Sequence, residues 1–234
     1  MFSNQKILDI LNKDLIPDIS KIIIKYLECP DHKRIHPYFE YITCTYQFPY
    51  FELSERIYGD VFLILGRRST GKSTFIRCAF SNIKEDYSSL AMTLAKHNTY
   101  PVDNQIYNYK MSYIRPFLND KTNKKILIID DCFTNTLTTE FNRLFTGMDY
   151  TTDYFISCQF PGLITPYTLK EQIRYLVILK EDLILSKRRL YENYVKDFFA
   201  NYGHFNIVMD NLKKYQALVF DMALKDIYFY QLSV

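Results

Sequence analysis

Eight residues, Gly66-Arg67-Arg68-Ser69-Thr70-Gly71-Lys72-Ser73, constrain this chain more than any other feature. They match G-x-x-x-x-G-K-[ST] at every fixed position. Such a loop wraps its backbone N–H groups inward around a phosphate chain, and its two glycines permit the turns and the close approach. The apolar run Val61–Leu65 precedes it, and Thr74-Phe75-Ile76-Arg77-Cys78-Ala79-Phe80, which reads as a helix, follows. The motif requires this order of strand, loop and helix, because the helix N-terminus has to face the anion. A chance match in a surface loop would lack both flanks. On this reading Gly66, Arg67, Arg68, Ser69, Thr70, Gly71, Lys72, Ser73 and Thr74 bind a nucleoside triphosphate, ATP. Lys72 meets the β- and γ-phosphates, and the Ser73 hydroxyl meets Mg²⁺. Arg67 and Arg68 carry a second reading, as solvent-facing loop residues.

The rest of the pattern extends this unit to a sheet. Apolar runs at 61–65, 90–94, 126–129, 154–158 and 175–179 read as strands. Helical spacing is expected from Lys72, over 137–145 and over 186–199. The stretch 104–118 is weakly helical, with Pro116 interrupting it. Residues 217–220 and 227–230 are expected to form a closing pair of strands. Alternating strands and helices imply an α/β fold, a P-loop NTPase with a mainly parallel central sheet flanked by helices. Residues 5–28 read as two short helices. Three prolines and many aromatics in 29–57 read as a linker packed on the main domain. The expected division is therefore 1–57, a small helical N-terminal extension and linker, and 58–234, the P-loop domain.

Two strand ends carry further chemistry. The run Ile126-Leu127-Ile128-Ile129 ends in Asp130-Asp131, which reads as a Walker B element. A buried strand delivers carboxylates to the sheet edge beside the P-loop. Asp130 is then a metal residue with Ser73, holding Mg²⁺ through its water shell, and Asp131 is the general base for the attacking water. The competing reading is two acids opening a surface turn. The strand 154–158 ends in Gln159, which either touches the γ-phosphate and orients water or merely ends a strand. The catalytic set is thus Lys72, Asp131 and Gln159. These elements suggest an additional-strand P-loop ATPase rather than a small-molecule kinase. Ser186-Lys187-Arg188-Arg189 imitates the arginine-rich lid of such kinases, and we read it as an exposed basic helix face.

Composition bounds the alternatives. Apolar residues make up 48% of the 234, enough for a packed core. The formal charge of +3, from 29 basic and 26 acidic residues, neither demands nor excludes nucleic acid. Lys110, Arg115, Lys121, Lys124 and Lys125 lie between the second strand and the paired acids, where they face either a DNA channel or solvent. The chain has 21 Tyr, 18 Phe and no Trp, a usage that AT-rich codons explain as well as function does. Its five scattered cysteines contain no C-x-x-C, so neither a zinc site nor a disulfide framework is suggested, and reduced buried thiols in a cytosolic protein are expected. No signal peptide and no apolar run of roughly 20 residues is visible, so no membrane span is expected.

Taken in order, these segments resemble the genome-packaging ATPases of poxviruses and giant DNA viruses, in the FtsK–HerA superfamily of P-loop ATPases. The resemblance covers about residues 58–231. It rests on the P-loop, on Ile128-Ile129-Asp130-Asp131 and on the segment from Leu144-Phe145 to Gln159. It rests further on Ile164, Pro166 and Leu169 leading into Tyr175-Leu176-Val177-Ile178-Leu179-Lys180, on Arg189-Leu190-Tyr191 and on Leu218-Val219-Phe220-Asp221. The resemblance implies a homo-oligomeric ring that drives double-stranded DNA into a preformed capsid without sequence specificity. Capsid proteins would be partners, with the host cytoplasm (virus factories) and the virion as locations. One departure stands out. The family often has an arginine and an asparagine in the helix before the fifth strand, where this chain has Lys170 and a displaced Arg174. Arg143 and Arg174 are the candidates for an arginine finger. The residues themselves leave two other classes open: a nucleoside or nucleotide kinase, and a non-catalytic nucleotide switch, against which the second carboxylate argues.

Overall fold

Of the eight strands among the described residues, six are buried at every position or at all but one, which is why they read as continuous apolar runs rather than alternating ones. The computed structural model describes residues 48–52, 59–83, 87–120, 124–132, 151–159 and 171–232. The helices expected within 5–28 and 137–145 lie outside the described residues, as do the boundary at 58, Cys29, Cys44, Lys121 and Arg143. The described residues belong to one compact unit, Phe48–Val234.

The strands are β1 (Val61–Leu65), β2 (Ser88–Thr93), β3 (Asn104–Ile106), β4 (Lys125–Asp130), β5 (Thr152–Cys158), β6 (Tyr175–Leu179), β7 (Gln216–Asp221) and β8 (Asp226–Gln231). They form one sheet in the order β3-β2-β4-β5-β1-β6-β7-β8. The first six in that order are parallel, and β7 and β8 close it as an antiparallel hairpin. The expected α/β architecture with a mainly parallel sheet is therefore the observed one. β5 stands between β1 and β4, so the additional strand separates the P-loop strand from the strand of paired acids.

Alternation along each strand divides the core in two. Val61, Leu63 and Leu65 face one cluster, with Ile114, Leu190, Val195, Phe205 and Met209 from helices α2 (Met111–Asn119), α3 (Ile184–Leu190) and α4 (Tyr202–Asn211) and the turn between α3 and α4. Phe62 and Ile64 face the other, with Phe75, Ile76 and Ala79 of α1 (Lys72–Ser81). On that face Phe62 stacks between Phe155 and Tyr175, its cross-strand neighbours, with ring centroids 4.8 Å apart in each pair. Burying rings of this size contributes heavily to core stability, so part of the aromatic usage is structural.

Two expectations need correction, and one further helix is found. Residues 104–118 are not one weak helix: β3 precedes α2, and Pro116 lies inside α2. Pro116 is exposed, so its ring points to solvent, and the carbonyl it leaves free, on exposed Ser112, can be hydrated. The helix expected over 186–199 starts at Ile184 and passes into a π-helical turn at Tyr191–Val195, which buries Tyr194 and Val195 side by side. α4 has no counterpart among the expected elements. Its N-cap Asn201 accepts from the His204 N–H at 3.1 Å, a signal present in the sequence.

Candidate active site

The carboxyl ends of parallel strands meet at one sheet edge, the usual place for a ligand in an open α/β sheet. Here β1 gives way to the P-loop. The Gly66 N–H donates to the Cys158 carbonyl of β5 at 3.3 Å. A β-carbon on Gly66 would stand 2.6 Å from Thr70 Oγ1 and 3.0 Å from Leu179 Cβ, so only glycine fits. Gly71 takes φ 110° and Ser69 φ 64°, both left-handed. Thr70 Oγ1 ties the loop across itself by donating to the Arg67 carbonyl at 2.8 Å. Gly71 is the N-cap of α1 and offers no side-chain acceptor, so the first-turn N–H groups lack a competing cap. Lys72 is buried, with Nζ donating to the carbonyls of Gly66 (2.9 Å) and Arg67 (3.0 Å) and lying 3.3 Å from Asp131 Oδ2.

Parallel register lines up the second half of the site. Thr93, Asp130 and Ser157 are direct neighbours on β2, β4 and β5. The fully buried Asp130 carboxylate accepts from Ser157 Oγ on one oxygen. Its other oxygen accepts from Ser73 Oγ (3.1 Å), Thr93 Oγ1 (3.5 Å), Asn98 Nδ2 (2.9 Å) and Tyr100 OH (2.6 Å). Asn98 Nδ2 also donates to Ser73 Oγ at 2.9 Å. The loop that carries Asn98 and Tyr100 is held by Gln105 of β3. The Gln105 Oε1 accepts from the Tyr100 N–H (2.9 Å), and its Nε2 donates to the Asn98 carbonyl (2.6 Å). Burial, and then the charge of Asp130, push the Tyr100 phenol far above its usual 10.0, so it remains the donor.

Asp131 turns the chain sharply, at φ 51°, with its N–H donating to Ser157 Oγ at 3.0 Å. A left-handed aspartate held this way stores local strain of roughly 1–3 kcal/mol, which surrounding bonds must offset. The Asp131 Oδ2 accepts from Gln159 Nε2 at 2.9 Å and pairs with Lys72. Its Oδ1 is buried and has no hydrogen-bond partner among the described residues. Cys132, next in the chain, has its thiol pushed up to about 12 by burial and by both acids, so it is unreactive.

A cleft of about 710 Å³ opens above these groups. Arg68, Ser69, Gly71, Lys72, Ser73, Thr74, Asp131 and Gln159 of the sequence-derived set line it. Gly66 and Thr70 shape the loop from behind. Arg67 contributes its carbonyl to Lys72, and its side chain is exposed. Arg77, Lys96, His97, Asn98 and Tyr215 line it too, although no motif marked them. Of the basic residues placed beside a DNA channel, Lys110, Arg115 and Lys124 are exposed, but Lys125 is fully buried in β4 and cannot reach DNA. Lys187 departs from the exposed basic face: it is buried and paired with Asp210 at 2.5 Å, leaving Arg188 and Arg189 outward. Arg174 pairs with Asp221 at 2.8 Å and donates its N–H to the Val61 carbonyl, at the sheet edge opposite the P-loop.

Ser73 and Asp130 present a hydroxyl and a carboxylate at hydrogen-bond distance, the hard oxygen set that suits Mg²⁺ shared with phosphates. Among the described residues no group of three His, Cys, Asp or Glu forms a metal cage. No helix among the described residues is long and apolar enough to cross a membrane.

The buried phenols make stability pH-dependent in a definite direction. Burial raises Tyr100 and Tyr194, and burial followed by Cys78 pushes Tyr230 up to about 12. An unfolded tyrosine ionises near 10.0, whereas these stay neutral in the fold. Their contribution is therefore complete below that pH and is lost as pH rises above it. The urea midpoint should drop between neutral pH and about pH 11. In Tyr100→Phe the fall should be shallower, by up to about 1.4 kcal/mol at about pH 11, because phenylalanine has no proton to lose on unfolding. An identical pH slope in that variant would contradict the assignment.

The sequence matches no family model and no curated protein. Solved structures do resemble the fold. The DNA-packaging ATPase B204 of Sulfolobus turreted icosahedral virus superposes with a TM-score of 0.59 at 14% identity, covering 76% of this chain and 100% of that one. The genome-packaging NTPase B204 of Sulfolobus turreted icosahedral virus 2, in complex with ATP-gammaS, gives 0.56 at 14% identity, covering 75% and 98%. The pCW3 conjugation coupling protein TcpA, with ATPgS, gives 0.51 at 14% identity, covering 77% of this chain and 61% of that one. At this identity the likeness establishes the fold, that of a P-loop NTPase.

Proposed function

We propose that this chain is an ATP-hydrolysing motor that moves double-stranded DNA, and that it packages a viral genome into a capsid as one subunit of a homo-oligomeric ring. The observation that carries the hydrolytic part is Asp131. One of its oxygens is tied to Lys72 and Gln159, and the other is buried without a partner among the described residues, on a residue that lines the cleft. An unpaired buried carboxylate oxygen costs stability and calls for a functional reason. When ATP enters, its phosphates offer Lys72 a better acceptor than the two loop carbonyls. Lys72 then leaves Asp131, whose carboxylate becomes free to take a proton from the attacking water. Gln159, already on the same oxygen, orients that water. Ser73 and Asp130 would hold Mg²⁺, which supplies charge neutralisation at the β- and γ-phosphates when bound.

The DNA part draws its support from the sequence resemblance and from neighbours of the same fold described as a DNA-packaging ATPase, a genome-packaging NTPase and a conjugation coupling protein. Exposed Lys110, Arg115 and Lys124 are the described candidates for contact with DNA phosphates. Capsid proteins, a location in cytoplasmic virus factories and presence in the virion belong to the same proposal. Phosphate release from ATP, measured with and without double-stranded DNA over a salt series, tests it. Turnover should rise with DNA, and the rise should fade as salt increases. Turnover indifferent to DNA, or appearing only with a nucleoside acceptor, would sink the motor in favour of a kinase. Tight binding without turnover would make the chain a switch.

A further inference from the structure

We infer that Tyr215 is the stacking platform for the nucleoside base, an inference that rests on the nucleotide-site reading above and assigns the other end of the same cleft. The acids and Gln159 lie on the β4–β5 side of β1, so the terminal phosphate and its attacking water belong there. The phosphate chain runs over Lys72, Ser73 and Thr74 at the start of α1. The nucleoside must therefore leave on the opposite, β6–β7 side. β7 is antiparallel to β6, with Ala217 opposite Leu179, so the start of β7 arrives at the P-loop edge on that side.

Tyr215 stands two residues before that pairing and lines the cleft. Its ring carbon Cδ1 is 3.9 Å from where a β-carbon on Gly71 would be, which sets the ring directly beside the phosphate loop. Its backbone is left-handed, at φ 64°, unusual for a bulky aromatic. Two bonds pin it there: the Tyr215 carbonyl accepts from the Leu232 N–H at 2.8 Å and from Gln231 Nε2 at 3.2 Å. Strain held by such bonds is characteristic of ligand clamps. Lys214 Nζ lies 4.9 Å from the ring centroid and steadies the ring by cation–π attraction. A ring surface offers stacking, which every base accepts, so Tyr215 contributes affinity for a base without choosing between bases.

Calorimetric titration of the full chain with ATP and with inorganic tripolyphosphate, both with Mg²⁺, separates the two ends of the cleft. Tyr215→Asn removes the ring but tolerates the left-handed backbone, and Tyr215→Phe keeps the ring. ATP affinity should fall roughly 5- to 100-fold in Tyr215→Asn and stay near wild type in Tyr215→Phe. Tripolyphosphate should bind both variants as it binds wild type, which also reports an intact P-loop. Equal weakening of ATP and tripolyphosphate would overturn the inference, because Tyr215 would then only buttress Gly71. So would unchanged ATP affinity in Tyr215→Asn, with the nucleotide-site reading left standing. A wild-type chain that binds neither ligand would overturn that reading itself, and this inference with it.

Discussion

Asp131→Asn should lower ATP turnover by about 10²–10⁴-fold while ATP still binds. The substitution keeps shape and nearly all volume but removes the group that takes the proton. Gln159 Nε2 still finds an oxygen to donate to, and Lys72 keeps its two loop carbonyls at 2.9 and 3.0 Å. Losing the charge on the Lys72 contact at 3.3 Å should cost only modest stability, since the buried Lys72 keeps both carbonyl acceptors and the Asp131 side of the pair is 24% exposed. Thermal unfolding should therefore stay close to wild type, and fluorescent-ATP titration should return a similar affinity. A variant that retains even a tenth of the wild-type rate would rule out Asp131 as the base, and Asp130 or a group from a neighbouring subunit would have to be considered.

The adjacent residue should behave in the opposite way. Asp130→Ala should destabilise the nucleotide-free protein by about 3–5 kcal/mol as well as abolish turnover. Five donors converge on this fully buried carboxylate: Ser73, Thr93, Asn98, Tyr100 and Ser157. Removing it takes the carboxylate acceptor from all five, leaves Asn98 only the Ser73 hydroxyl, and detaches the Asn98–Tyr100 loop from β4 while Gln105 still holds it on β3. Urea unfolding without nucleotide checks the first effect, and the absence of a Mg²⁺-dependent gain in ATP-induced stabilisation checks the second. A wild-type urea midpoint in Asp130→Ala would mean the network contributes nothing to the fold. A retained Mg²⁺ effect would remove Asp130 from the cation site. The two neighbouring aspartates thus differ in setting: one is fully buried and saturated with donors, and the other has a partnerless oxygen among the described residues.

What could be read without coordinates was local or periodic. The P-loop is legible because its backbone demands, left-handed Gly71 and the glycine-only space at Gly66, must be met by residues at fixed spacing. The buried strands are legible because a parallel strand covered on both faces has to be apolar throughout. Asp130, Asp131 and Gln159 were visible because each ends such a run.

What escaped was set by register and by irregular loops. Thr93 and Ser157 flank Asp130 only because β2, β4 and β5 pair in one alignment, which no single strand encodes. Asn98 and Tyr100 reach Asp130 from a loop whose path depends on Gln105, in a three-residue edge strand too short to leave a period. Lys125 and Lys187 read as surface charges, since sequence cannot reveal that the first lies buried within β4 and the second meets Asp210. Tyr215 enters the cleft through the antiparallel return of β7. The sequence by itself determined the phosphate loop, the strands and the acids at their ends, through constraints on neighbouring residues. The tertiary structure alone decided which side chains surround those acids and that Tyr215 lines the same cleft, because those contacts join residues distant in the chain.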